Sequence, residues 1–466
     1  MAEPAVFLSG NMMRHIVVMS STSSLGLMAV FLVDFIDMIF ISMLGKAELA
    51  AAIGYAGTIL FFTTSVSVGL AIAAGALVSR ALGAGDEDRA RLVATHVLAF
   101  GFALAMVFAA LVWWNVRPLS ALLGAEGETL ALSASYLAII VPSMPFLMIG
   151  MAAGAILRAH GDAQRAMWAT IAGGAVNAVL DPILIFGLDL ELTGAALASV
   201  AARLTIMVVA VIPILRHYGG FAPLRGPAFI RDLGSIGGIA FPAMLTNIAT
   251  PVGAAYVTRE MAQFGEEAVA GMAIVGRLTP VTFAVIFALS GAIGPIIGQN
   301  YGAQKFDRVK AAYRDGLIFV AVYTLVAALV LFLLRGPISD LFAATGLTRE
   351  LVFLFCGPLA LAWFFNGAIF VGNAAFNNLG HPFYSTTINW GRNTLGTVPL
   401  VALGAYLFGA PGVLIGQALG GVIFALIAFV LAQRLIDAQA RGHAPHAPRA
   451  EFTRRARQIQ LMFLRR

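Results

Sequence analysis

Four polar side chains interrupt segments that otherwise read as hydrocarbon. In "FLVDFIDMIFISMLG" Asp34 and Asp37 stand three residues apart, about 60° around a helix and therefore on one face. In "VNAVLDPILIFG" Asn177 and Asp181 stand four apart, again on one face, with the amide able to donate to a carboxylate one turn away. An acid at the centre of a membrane helix costs about 2.5–3.5 kcal/mol on insertion scales, so it faces a cavity, a partner or an ion. Burial and a neighbouring like charge both favour the neutral or ion-bound form of a carboxyl group. The pattern thus points to a coupling proton or Na⁺ held at Asp37 and Asp181. A structural polar cluster is the alternative, and for Asp34 the two readings weigh equally. Pro182 removes a backbone hydrogen bond, which predicts a kink that frees the carbonyl of Ala178 beside Asp181. Arg203, Arg277 and Arg392 also fall inside apolar segments. They are candidate central-cavity charges, either pairing with acids or attracting an anionic group, and Arg203 is expected to reach the acids of the first segment.

These residues need a membrane scaffold around them. Of 466 residues, 60% are hydrophobic and 11% charged, with a mean hydropathy of +0.90, against about a quarter charged in soluble domains. Lipid must be the solvent for most of the surface. Crossing a core about 30 Å thick takes roughly 20 helical residues, and apolar segments of at least that reach recur twelve times, near 15–43, 48–79, 92–114, 130–157, 164–187, 193–215, 232–258, 267–298, 311–334, 351–378, 382–407 and 412–435. The N-terminus "MAEPAVFLSGNMMRH" lacks the order of a cleaved signal peptide, so the first helix is expected to serve as its own insertion signal.

Basic residues fix the expected orientation. The N-terminus and the loops after spans 2, 4, 6, 8 and 10 carry thirteen Lys and Arg, the C-terminal tail eight and the opposite loops five. Both termini are therefore expected in the cytoplasm, in a multi-pass protein of the inner or plasma membrane. The net charge of +6 needs no nucleic acid to explain it. Residues 436–466 form a basic cytoplasmic tail on this reading, and "EFTRRARQIQLMFLRR" reads as either an amphipathic segment on anionic lipid or a disordered tail.

An internal repeat constrains the architecture further. "LVSRALGAGDEDRARLV" matches "IIGQNYGAQKFDRVKAA" at a shift of 219, which sets Gly83 on Gly302, Asp88 on Asp307 and Arg89 on Arg308, and Gly161 on Gly380 beyond it. Six spans separate equivalent points, so the halves enter the membrane in the same sense, related by a pseudo-twofold axis along its normal. The expected fold is all-α: twelve transmembrane helices in two six-helix lobes, residues 1–215 and 232–435, joined by a linker at 216–231. No GxxxxGK[ST] loop, HExxH or GxSxG motif occurs, and the single cysteine, Cys356, has no partner for an internal disulfide. ATP-driven and hydrolytic chemistries lose support, and a secondary transporter, not an enzyme, is the expected class.

Four motifs in order resemble the multidrug and toxic compound extrusion (MATE) transporters: "IDMIFISMLGKAELAA", "LRAHGDAQRAM", "NAVLDPILIFG" and "GPIIGQNYGAQKFDRVK". The resemblance implies export of amphipathic, mainly cationic organic compounds in exchange for H⁺ or Na⁺ by alternating access, with no cofactor beyond the coupling ion, from a chain expected to be monomeric. It places the coupling site at Asp37, Asn177 and Asp181, with Tyr136 and Ser199 as neighbours. Two positions depart from the family pattern: Gly154 stands where many relatives have asparagine, and Thr250 where a sodium-coupled branch has an acid in span 7. That departure favours a first-lobe site and proton coupling. A lipid-linked oligosaccharide flippase of the same superfamily is the rival reading, with Arg203, Arg277 and Arg392 gripping a pyrophosphate.

Overall fold

A computed structural model describes residues 5–442; the tail beyond it, including "EFTRRARQIQLMFLRR", lies outside the described residues. The described chain is helical throughout, without a strand. The first lobe comprises α1 (Met12–Met43), α2 (Ala47–Gly83), α3 (Glu87–Trp114), and α4 (Gly127–Ala159), α5 (Ala163–Gly187) and α6 (Glu191–His217). The second comprises α7 (Gly226–Ala262), α8 in two pieces (Glu266–Thr282 and Ala284–Gly302), α9 (Phe306–Leu341), α10 (Gly346–Asn378), and α11 and α12 within Pro382–Ala440.

Two expected spans take a different form. The eighth is broken at Phe283, where the backbone leaves helical geometry and the ring is fully buried. The eleventh and twelfth run on as one hydrogen-bonded stretch that reverses at Gly409, whose φ of +64° and ψ of −144° suit a residue without a Cβ. Twelve crossings result. Helix interiors also change pitch at prolines: α4 passes through a 3₁₀ turn at Val141–Ser143 around Pro142, and α5 through a π-turn at Ile183–Gly187 directly after Pro182. The kink expected at Pro182 is that π-turn, a form common where backbone groups are freed for function.

The lobes meet along the pseudo-twofold axis at the ends of α2 and α8, on the face that carries both described chain ends. An added Cβ at Gly83 would collide with the carbonyl of Gln299, and one at Gly302 with the carbonyl of Arg80. Gly83 and Gly302 are repeat equivalents, as are Arg80 and Gln299, so one contact is made twice. The side chains repeat it: Arg80 donates to the carbonyl of Asn377 and Gln299 Nε2 to that of Ala159 at 2.8 Å. Close approach of small residues is how helices pack where no hydrophobic effect drives them together.

Each lobe also lends the start of its first helix to the other. Phe7, Met12, Ile16 and Met19 join the second lobe's core with Phe283, Ile293 and Phe376. Ile236, Ile239 and Ala240 of α7 join the first lobe's core with Leu70, Val97 and Met148. Arginines at equivalent positions fasten both exchanges. Arg89 binds the Asp232 carboxylate through both terminal nitrogens at 2.8 and 2.6 Å, while Arg308 donates to the carbonyls of Phe7, Gly10 and Ser9.

Candidate functional site

Small residues bring α1 and α5 together. Gly26 faces Met167 and Thr170, and Gly174 faces Val33 and Ala29, so residues 26, 29 and 33 of α1 form the contact stripe. One further turn along it lies Asp37, opposite Asn177. The Asn177 amide nitrogen donates to Asp37 Oδ1 at 3.2 Å and Oδ2 at 3.3 Å, and to Asp181 Oδ2 at 2.7 Å. Asp181 is fully buried and Asn177 nearly so. Asp181 Oδ1 has no hydrogen-bond donor among the described residues, although the two carboxyl groups are close enough to interact directly. One amide thus bridges two acids from different helices, and no cationic side chain among the described residues forms an ion pair with either.

Tyr136 of α4 is buried beside Ser199 of α6, within electrostatic reach of Arg203, Asp37 and Asp181. The five residues Asp37, Asn177, Asp181, Tyr136 and Ser199 therefore converge. Asp34 does not: it lies one residue off the α1 contact stripe, is exposed, and hydrogen-bonds to neither Asn177 nor Asp181. Three residues along a helix keep two side chains on one broad face, but α5 packs against only part of that face.

The three arginines expected as a central-cavity set do not form one. Arg203 makes no ion pair with the α1 acids; it donates to the Ile140 carbonyl at 3.2 Å and to Ser143 Oγ at 3.0 Å, satisfying acceptors freed where α4 breaks. Arg277 is exposed and lines a cleft between α8 and the α9–α10 connection, with Phe342, Thr345 and Thr348. Arg392 donates to the side-chain carbonyl of Asn366 within the second lobe. Trp363 of α10 stacks on Phe283 with ring centroids 4.6 Å apart, packing against the second lobe's core.

Arg158 stands at the margin of the fourth span, where the sequence reads it as a loop cation. The structure puts it inside the protein, between α4 and α8. The guanidinium lies 3.5 Å from the position of a Cβ on Gly154 and 3.8 Å from one on Gly291. The signal in the sequence is a run of small residues, Ala152, Ala153, Gly154 and Ala155, one turn before an arginine in an apolar helix. The departure at Gly154 thereby gains a physical account, since a larger side chain would occupy the space beside the guanidinium. Thr250, the other departure, is exposed on α7.

The family model for MatE matches residues 23–183 and 242–403, one copy in each half. The chain is 28% identical to a protein named FAD transporter from Shewanella oneidensis over 440 residues, 92% of this chain and 96% of the relative. It is 26% identical to Multidrug export protein MepA of Staphylococcus aureus over 409 residues, 86% and 90% of the two chains. Its fold matches the Vibrio cholerae MATE transporter VcmN in the bent form at a TM-score of 0.86, 24% identity, 92% of this chain and 98% of that one. A MOP superfamily transporter from Pyrococcus furiosus matches at 0.87, 21% identity, 94% and 99%. With both halves matched and the fold shared, the chain belongs to the MatE family of membrane transporters.

Proposed function

We propose that the protein is a secondary antiporter that exports amphipathic organic compounds, mainly cations, in exchange for H⁺ or Na⁺. The observation that carries this reading is the Asn177 amide bridging Asp37 and Asp181 across the α1–α5 contact. One amide cannot compensate two ionised acids in a low-dielectric setting, whereas one added proton or cation does so. Proton coupling is preferred, because a proton needs only the two carboxyl groups present, and Na⁺ asks for several more oxygen ligands than they supply. The relatives' names, a multidrug exporter and an FAD transporter, fit a cleft that takes amphipathic organic solutes.

In the proposed cycle the outward-open protein takes up a proton at Asp37 and Asp181. The lost charge weakens attraction for a cationic solute and changes how α1 packs on α5, so the solute leaves outward and the proton inward. Competition between proton and solute then follows from linkage, without overlap of their sites. This direction assumes both chain ends in the cytoplasm and a monomer in the inner or plasma membrane. The flippase reading depended on Arg203, Arg277 and Arg392 acting together, and their separation removes that support.

The test is efflux of ethidium from proteoliposomes under an imposed pH or Na⁺ gradient, comparing wild type with Asp181→Asn. Flux driven by pH alone and lost in the variant supports proton coupling. Flux driven only by Na⁺ makes the same acids a metal-ion site, and wild-type flux in the variant overturns the assignment.

A further inference from the structure

The arginine at the lobe boundary has no counter-charge. Arg203 and Arg392 each donate to neutral acceptors in their own lobe; Arg158 makes no hydrogen bond or ion pair among the described residues. A guanidinium keeps its charge in proteins and carries five donors, and leaving it unanswered inside a protein is costly. Its surroundings are shaped to leave it open. Gly154 and Gly291 flank it without side chains, and Ser290 and Gly291 are exposed, whereas α8 from Ala292 to Asn300 is buried. The exposed surface of α8 therefore ends beside Arg158. Beyond it the α2–α8 crossing seals the protein, with Ser79 against Gly298 and Gly83 against Gln299. Helical side chains lean toward their own N-terminus, which turns Arg158 from that seal into the space above it. At the equivalent position of the second lobe stands the neutral Asn377, so the charge is not a requirement of the repeat.

We propose that Arg158 seats an anionic group, a phosphate above all, of solutes that enter the gap between the lobes, so that the transporter accepts organic anions as well as cations. Phosphate oxygens match the guanidinium fork in a paired arrangement that no neutral acceptor nearby offers. The inference rests on the proposed transport through this gap and adds a substrate class to it. The acids on α1 and α5 and the arginine at the boundary belong to separate clusters, so an anion on Arg158 need not displace the coupling ion.

The experiment is equilibrium binding to the full chain in phosphatidylcholine nanodiscs, with a radiolabelled nucleoside diphosphate and with ethidium. Wild type is expected to bind both. Arg158→Gln should weaken the diphosphate about tenfold or more, the scale of one lost charge-assisted pair, with ethidium affinity kept and Arg158→Lys recovering part of the loss. Gly154→Asp gives a second route, since a carboxylate beside the guanidinium should exclude the diphosphate without lowering the melting temperature. The proposal is overturned if wild type does not bind the diphosphate, if Arg158→Gln binds it as wild type does, or if both probes are lost together. It is also overturned if phosphatidylglycerol in the nanodisc displaces the diphosphate from wild type, which would make a lipid headgroup the occupant. Gradient-driven ethidium efflux and its loss in Asp181→Asn are read separately, so either proposal can fail alone.

Discussion

The two lobes solve the same packing problem with different chemistry at one place. Where α1 meets α5, Asp37, Asn177 and Asp181 form a charged bridge. Where α7 meets α11, one helical turn short of the position that the 219-residue shift gives for Asn177, Asn393 faces Gly253, with Thr397 four residues on. The second asparagine also faces the first helix of its lobe, but it packs on bare Gly253. Its amide turns back to the Asn389 carbonyl at 2.9 Å, and Thr397 donates to the Arg392 carbonyl at 2.8 Å. Both lobes thus set an asparagine against their first helix, at positions one turn apart in the repeat, and only the first lobe adds acids beside it. A helix pair that closes on its own backbone needs nothing from outside; one that closes on two carboxyl groups needs a proton or a cation.

The strongest way to break this contrast is to remove the asparagines. Asn177→Ala should lower gradient-driven efflux about tenfold, since stripping the donor from a buried acid costs about 1–3 kcal/mol. Asn393→Ala should change efflux less than about twofold, because it removes one neutral hydrogen bond far from any acid. Parallel proteoliposome assays decide it, and equal losses would mean that the acids are not what sets the lobes apart.

Next in size is a test of what the lobes share. Gly83→Leu and Gly302→Leu should open the α2–α8 crossing alike, each forcing a side chain into a backbone contact at a cost of about 1–3 kcal/mol. A cysteine placed at Ser79 in a Cys356→Ser background reports this through thiol labelling, because Ser79 is buried against Gly298. Labelling should rise in both variants, and a rise in only one would break the symmetry of the seal.

How much of this was legible differs by kind of residue. Twelve crossings could be counted because lipid demands long apolar runs, and the acids stood out against them. The 219-residue shift paired Gly83 with Gly302 and Arg89 with Arg308, yet it could not say that equivalents touch across the axis or that the starts of the first helices are exchanged. Those facts belong to packing, which one-dimensional periodicity does not carry. Asp34 shows the same limit, since its spacing allowed a shared face but helix rotation gave the site to Asp37. Arg158 was hidden for another reason: at a span margin a cation looks like a loop residue, and only the direction of its side chain makes it internal.

The exchanged helix starts allow a milder test. Arg89→Gln leaves the nearly buried Asp232 with His96 alone, whose Nδ1 lies 2.7 Å from Oδ2. Arg308→Gln deprives three backbone carbonyls and the Asn300 side-chain oxygen, all neutral acceptors, of a donor. The first should cost about 2 kcal/mol and the second about 1 kcal/mol, the scales of a lost hydrogen bond to a charged and to a neutral group, read as a larger fall in melting temperature for Arg89→Gln. The reverse order would mean that α1 depends on its fastening more than α7 does.

The smallest difference lies at the starts of α5 and α11, where Asp162 and His381 are repeat equivalents after Gly161 and Gly380. Asp162 caps α5 by accepting from the Arg165 backbone nitrogen at 3.1 Å, and it also accepts from the Tyr218 hydroxyl at 2.7 Å; His381 makes no side-chain cap bond. Burial alone would push the Asp162 carboxyl upward, but the Tyr218 hydroxyl and the Arg165 donors outweigh it and hold it below the ordinary carboxylate range. A lowered folded value means that the stabilisation is fully present above the unfolded value, about 3.9, and is lost as pH falls through the lowered one. The cap should therefore survive mild acid and cost about 1 kcal/mol only once it is protonated. Tyr218→Phe removes one of the donors that hold the value down, so its loss should begin at higher pH than in wild type, while His381→Asn should leave the acid limb where it is. Melting temperatures across the acid range separate the two, and an unmoved acid limb in Tyr218→Phe would show that the first lobe draws no pH-dependent stability from this cap.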